Sequence, residues 1–236
     1  MNGRQVIKNA AKGVAATAAI AAAGYAALVV FNRAKYGNVK GCADGAKNSL
    51  LDEFIPDPEI VEHHRIDVAA PAEVVMATAR EMEFLKSPVI RAIIKAREFA
   101  LGGTPDDREH PTTLLEQMLS IGWVVLAERP GRELVLGAVT QPWQAAPVFR
   151  SVPAAEFRAF SEPGYVKIVW TLRADPVDET RSTFYTETRA CTTDAGARRR
   201  FRNYWSFVAP GVEVIRMAML GPLRRAAEKR ATLTAA

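Results

Sequence analysis

The chain has very little cysteine or histidine. Its 236 residues include two cysteines, Cys42 and Cys191, and three histidines, His63, His64 and His110. Two thiols so far apart frame no disulfide scaffold and lack zinc-ligand spacing, so both are expected as unpaired thiols. His63 and His64 are neighbours in a strand-like stretch, so their side chains project to opposite faces and cannot share a metal. His110 stands in a loop before Pro111, with no acid pattern that marks it as a base. A glycine-rich phosphate loop and a nucleophile elbow are also missing. The expectation is therefore no metal and no cofactor. A basic surface is lacking too, despite a net charge of +5: seven of the 31 basic residues but one of the 26 acids lie in the first 48 positions. The main body is close to neutral, which argues against a nucleic-acid partner. No internal repeat of solenoid length is visible.

What the chain does have is an uncharged apolar run, Val14–Phe31, with Arg4, Lys8 and Lys12 before it and Arg33, Lys35, Lys40 and Lys47 after it. At about 1.5 Å per helical residue, the run approaches the roughly 30 Å apolar thickness of a bilayer. Three interpretations stand: a retained anchor, a cleaved secretory signal, or an alanine-rich helix that is soluble or interfacial. Cleavage is disfavoured because the small residues Ala21-Ala22-Ala23 fall mid-run and apolar sequence continues to Phe31. The anchor is the expectation, with the lipid bilayer as partner and anionic head groups drawing the flanking lysines and arginines. The charge balance across the run leans weakly toward a cytoplasmic domain. The organisation is then a basic flank over 1–12, a single transmembrane anchor over 13–32, a basic tether over 33–49 and one domain over 50–236.

Within the domain, Ile60–Val68 alternates as a strand, and Pro71 opens a helix whose apolar positions Val74, Val75, Ala79, Met82 and Leu85 recur at helical spacing. Ser87-Pro88 starts a second helix over Val89–Leu101, and a short helix is expected around Leu114–Leu119. Trp123–Ala127 and Glu133–Thr140 flank Pro130-Gly131 as a hairpin. Further strands are expected at Phe157–Phe160, Tyr165–Arg173 and Ser182–Cys191. From Ala195 onward Phe201, Tyr204, Trp205, Val208, Val212, Ile215 and Met219 mark an amphipathic helix, with a kink expected at Pro210-Gly211. Asp52, Glu53, Asp57 and Glu59 read as a solvated acidic lead-in.

This order resembles the START-like helix-grip superfamily, which includes lipid-transfer domains and aromatic polyketide cyclases, and in particular its bacterial members. The resemblance is carried by IDVAAPAEVVMATAREM (Ile66–Met82), by Leu134–Val139 after the Pro-Gly hairpin, by YVKIVWTLRADP (Tyr165–Pro176) and by FYTETRACTTD (Phe184–Asp194). It spans roughly Leu51–Arg230 and implies an α+β fold, a curved antiparallel sheet wrapped round a long C-terminal helix. It does not fix one activity, because the superfamily serves many.

A sheet curved round a helix leaves an elongated gap suited to a hydrophobic small molecule, lipid-like or isoprenoid-like. Alternation puts Val166, Ile168, Trp170 and Leu172 on the helix-facing side. Trp205, Val208, Val212 and Ile215 are the candidates from the helix. Glu187 and Arg189 share a face. Pointing inward they would orient a polar head or act as general acid and orienting group; pointing outward they would form a solvated or structural pair. Arg216, alone in the apolar half of the helix, is a candidate partner for Glu187. The main expectation is a membrane-tethered binder rather than an enzyme. The alternatives are a cyclase- or hydrolase-type enzyme using the same cavity, and a plain module with a filled core.

Overall fold

The computed structural model describes residues 50–103, 111 and 113–234, together with Gly24, Tyr25, Ala27 and Val29–Phe31. The basic flank 1–12, most of the expected anchor, the tether with Cys42, and His110 lie outside the described residues.

The chain begins with one helical turn, α1 (Leu51–Phe54), and the strand β1 (Ile60–Val68). Pro71 then stands at the N-terminal boundary of α2 (Ala72–Glu81), where its missing N–H costs nothing. A single 3-10 turn leads to α3 (Pro88–Ala100), capped by the Ser87 hydroxyl, which accepts from the Ile90 N–H at 3.5 Å. Thr113 likewise caps α4 (Leu114–Ser120). The hairpin follows as β2 (Val124–Arg129) and β3 (Glu133–Thr140), turned at Gly131, whose φ of +70° favours glycine. A two-residue strand β4 (Phe149–Arg150), the turn α5 (Ala154–Phe157), the long strands β5 (Val166–Pro176) and β6 (Ser182–Thr192), and a 40-residue helix α6 (Ala195–Thr234) complete the domain.

The six strands form one antiparallel sheet in the order β1-β6-β5-β3-β2, with β4 paired to β3. This α+β arrangement of antiparallel sheet and long C-terminal helix fits the helix-grip fold. One expectation is corrected. Phe157–Phe160 is not a strand: Pro153 starts the turn α5, and Phe157 is drawn into a buried cluster instead of a ladder. The helix α6 runs on through Pro210, where a kink is expected, and through Pro222.

The start of α6 is fixed by Asp194. Its Oδ1 accepts from the N–H groups of Gly196 (2.6 Å) and Ala197 (2.9 Å), and its Oδ2 accepts from the Gly164 N–H. The helix then lies across the inner face of the sheet. Toward its start, Phe201, Trp205, Val208 and Ala209 pack on Ile60, Val166 and Ala190. Toward its end, Met219, Leu223 and Ala227 join Val75, Met76 and Ala79 of α2 over Leu134, Leu136, Trp170, Leu172 and Phe184. On the outer face, Val135, Val139 and Val169 are covered by Leu51, Phe54 and Ile55 of the lead-in and by Phe157. Gly137 makes that approach possible, since a Cβ there would stand 2.3 Å from Leu126 Cδ1.

Candidate functional site

Strand alternation assigns each chemically interesting side chain to one face or the other. In β6, Phe184, Thr186 and Thr188 look toward α6, while Tyr185, Glu187, Arg189 and Cys191 look away. The register pairs His64 with Thr186 and Glu62 with Thr188, so Glu62 and His64 share the inner face with Ile60, Ile66 and Val68.

Glu187 and Arg189 are on the outer face, yet they are not solvated. Both are buried, at 3% and 4% exposure. Arg189 Nε donates to Glu187 Oε1 at 2.6 Å, and its Nη1 donates to Asp52 Oδ1 at 2.5 Å and to the Ile55 carbonyl at 3.2 Å. His63 Nδ1 stands 3.3 Å from Glu187 Oε2. Burial works most strongly against the charged guanidinium, but the bonds to Asp52 and Glu187 outweigh it and hold the Arg189 pKa above the ordinary value. Beside this cluster, Glu133 accepts from the Leu50 N–H (3.3 Å), the Thr171 hydroxyl (3.4 Å) and Arg129 (3.2 Å). Together these charges fasten the lead-in 50–55 onto the sheet. The acids expected as a solvated lead-in are thus partly structural: Asp52 meets Arg189, and Glu59 accepts from Thr192 at 2.7 Å and Arg198 at 2.9 Å. Cys191 is a free thiol on this face, its pKa pushed up to about 11 by burial.

The inner face holds the more unusual group. Arg216 projects from α6 to the sheet, its guanidinium carbon 4.2 Å from the centroid of the Trp170 ring, and its Nη2 donates to Thr188 Oγ1 at 2.8 Å. Trp170 Nε1 in turn donates to Thr186 Oγ1 at 2.6 Å. Burial pushes the Arg216 pKa down to about 10, with the nearby Glu62 carboxylate working the other way. The side chain therefore stays charged at neutral pH. Glu62, 5% exposed, has its Oε2 3.9 Å from His64 Nε2. Arg216 does not meet Glu187; the sheet separates them.

Next to Arg216 the gap between sheet and helix narrows to a cavity of about 10 Å³, room for about one water molecule. Its walls are Ala79 and Met82 of the α2 end, Leu114, the sheet residues Leu172, Phe184 and Thr186, and Arg216, Met219, Leu220 and Leu223 of α6. Of the residues expected to line the gap, Leu172 and Arg216 do so and Trp170 stands beside them. Val166, Ile168, Trp205, Val208 and Val212 pack into the core at the other end of the helix, and Ile215 packs beside the cavity-side cluster. Sequence reasoning did not place Glu62 and His64 on the inner face. The signal that would have found them is parity: they alternate in step with Ile60, Ile66 and Val68. Among the described residues no cluster of His, Cys, Asp and Glu is arranged to hold a metal ion.

No family model matches the chain, and no curated protein matches it. Among solved structures, the chain is similar to a hypothetical protein from Helicobacter pylori at 10% identity and a TM-score of 0.39, covering 80% of this chain and 99% of that one. A conserved protein from Geobacillus kaustophilus aligns at 10% identity and a TM-score of 0.30, over 74% and 97% of the two chains. The Zhui aromatase/cyclase from Streptomyces sp. R1128 aligns at 15% identity and a TM-score of 0.28, over 72% and 94%. Likeness at this level says nothing of activity.

Proposed function

We propose that the chain is a membrane-tethered binder of an apolar small molecule with an anionic or hydrogen-bonding head, taken up between the inner face of the sheet and α6. One observation carries the proposal: Arg216, buried in the gap between sheet and helix, lines the small cavity with its stem and holds its guanidinium beside it, on Trp170 and Thr188. Holding a charge there costs desolvation that a core alone would avoid by using leucine or methionine. An anionic head would pair with Arg216 while an apolar body displaces the flexible side chains of Met82 and Met219, which adapt readily to new shapes. The cavity has room for about one water molecule, so uptake requires α6 and the α2–α4 side to part. An anchor over 13–32 would hold that opening near membrane-dissolved ligands.

A second reading rests on Glu62 and His64 on the same face, 3.9 Å apart, the carboxylate and imidazole that a cyclase- or hydrolase-type reaction would recruit for proton transfer on substrate binding. Binding and catalysis separate experimentally. A fluorescent long-chain carboxylic acid should bind the full chain saturably, with one molecule per chain. Arg216→Met should weaken that acid by about tenfold or more, the worth of one charge-assisted bond, while the corresponding methyl ester changes little. Arg216→Met with Glu62→Gln should leave the melting temperature unchanged or raise it, because the desolvated charge and its carboxylate neighbour are removed together. Failure of both probes to bind at micromolar concentrations would make the gap a plain core. Turnover of any membrane-derived compound, abolished by Glu62→Gln with binding intact, would favour the enzyme.

A further inference from the structure

Helix α6 has a second apolar face, turned away from the sheet. Phe207, Val214 and Met217 are 39%, 41% and 60% exposed. Over residues 204–223 the only other exposed position is Pro222; Glu213 and Arg216 are both partly covered. Spacings of seven and three put Phe207, Val214 and Met217 on one stripe. Alongside runs α3, whose Ile93 lies so close to Gly211 that a Cβ on the glycine would stand 3.0 Å from Ile93 Cγ2. The exposed positions of α3 include Val89, Ala92, Ala96 and Phe99, spaced by three and four, with Phe99 85% exposed. Exposed arginines and lysines rim this two-helix face: Arg199 and Arg202 before it, Arg224 and Arg225 after it, Arg91 and Lys95 on α3. By length and composition α6 is the one described helix apolar enough to cross a bilayer, but its other side is built into the core.

The covering partner is indicated by Tyr25. Its ring meets Phe207 edge-on, with centroids 5.7 Å apart and planes at 79°, and its hydroxyl donates to the Phe207 carbonyl. Tyr25 lies six residues before Phe31, the end of the uncharged run, a distance of about 9 Å along a helix. If that run spans a bilayer with Phe31 at the boundary, Tyr25 carries Phe207 about 9 Å into the apolar layer. This agrees with the depth of about 5–10 Å at which interfacial apolar faces lie. Val30 and Phe31, on the same run, are 68% and 64% exposed and so are left by the domain for lipid.

We propose that the outward faces of α6 and α3 seat the domain in the surface of an anionic bilayer, beside its own anchor. The apolar stripe enters the acyl boundary and the basic rim meets the head groups. The proposal rests on the anchor proposed above and not on the ligand. It is tested on the full chain with Cys42→Ser, since the partly buried Cys191 thiol, raised to about 11, does not compete for label. Phe99→Cys, Val214→Cys, Met217→Cys and, as control, Val177→Cys in the β5–β6 turn are each labelled with a polarity-sensitive fluorophore. Each is reconstituted into phosphatidylcholine–phosphatidylglycerol vesicles. The expected result is flotation of every variant, with blue-shifted emission and quenching by acyl-brominated lipid at 99, 214 and 217 and neither effect at 177. Flotation without quenching at those three positions overturns the seat and leaves the anchor standing. Loss of flotation overturns both. Labels shielded from lipid, with the unlabelled cysteine variants forming disulfides between chains, would assign the face to a second copy and overturn the proposal.

Discussion

At the scale of single residues, the two faces of the sheet use charge differently. Arg189 is paired through Nε with Glu187 and through Nη1 with Asp52 and the Ile55 carbonyl. Arg216 has one hydroxyl and one aromatic ring, with a carboxylate near enough to matter electrostatically. The first arrangement fastens the lead-in; the second is the one proposed to meet a ligand head. Removing one member of a buried pair strands the other, so Glu187→Met should cost about 3–5 kcal/mol. Glu187→Met with Arg189→Met should recover much of that loss, and chemical denaturation of the single and double variants measures it. Additive losses would show that the pair is not coupled. Trp205 gives a contrasting case. It packs with Phe201 and Val208 away from the cavity, so Trp205→Ala should cost about 3–5 kcal/mol as a core truncation. Its effect on probe affinity, measured in the folded variant, should be small; a large loss of affinity at full stability would place the ligand at that end of the helix instead.

At the scale of elements, α6 depends on how it begins. Asp194 caps its first turn and also holds the Gly164 N–H, joining the start of the helix to the turn before β5. The Ala197 N–H foremost, then those of Gly164 and Gly196, keep its carboxyl below the ordinary carboxylate range. A carboxyl depressed in the folded state adds stability above its unfolded pKa of about 3.9 and loses that contribution as pH falls through the folded value. Asp194→Asn should therefore lower the melting temperature at pH 7 and flatten its fall below pH 4. Thermal melts at the two pH values decide the matter, and an unaltered acid slope would show that the cap carries no linkage. Much at this scale was legible. The strand Ile60–Val68 and the helices after Pro71 and Ser87 follow from period and punctuation. The misread segment Phe157–Phe160 is a short apolar stretch in which strand and helical turn have the same local appearance, and burial against Leu126 and Phe54 decided it.

At the scale of the whole molecule, β5 and β6 form a partition with a structural charge cluster on one side and the candidate site on the other. The α6 helix serves both the site and the outward apolar face, so a ligand that parts α6 from the sheet would also move the surface proposed to meet the bilayer. The sequence by itself determined the order of elements, the inward parity of Trp170 and Leu172, the opposite projection of His63 and His64, and the amphipathic character of α6, because each follows from a short-range period. It left open which way Glu187 and Arg189 face, since parity says only that they face together. Tertiary structure decided that, by bringing Asp52 and Ile55 from more than 130 positions away onto the outer face. It likewise decided that Arg216 belongs with Trp170 and Thr188, and that the gap is nearly filled. Those outcomes depend on side-chain volumes and charges converging from distant segments, which no local period records.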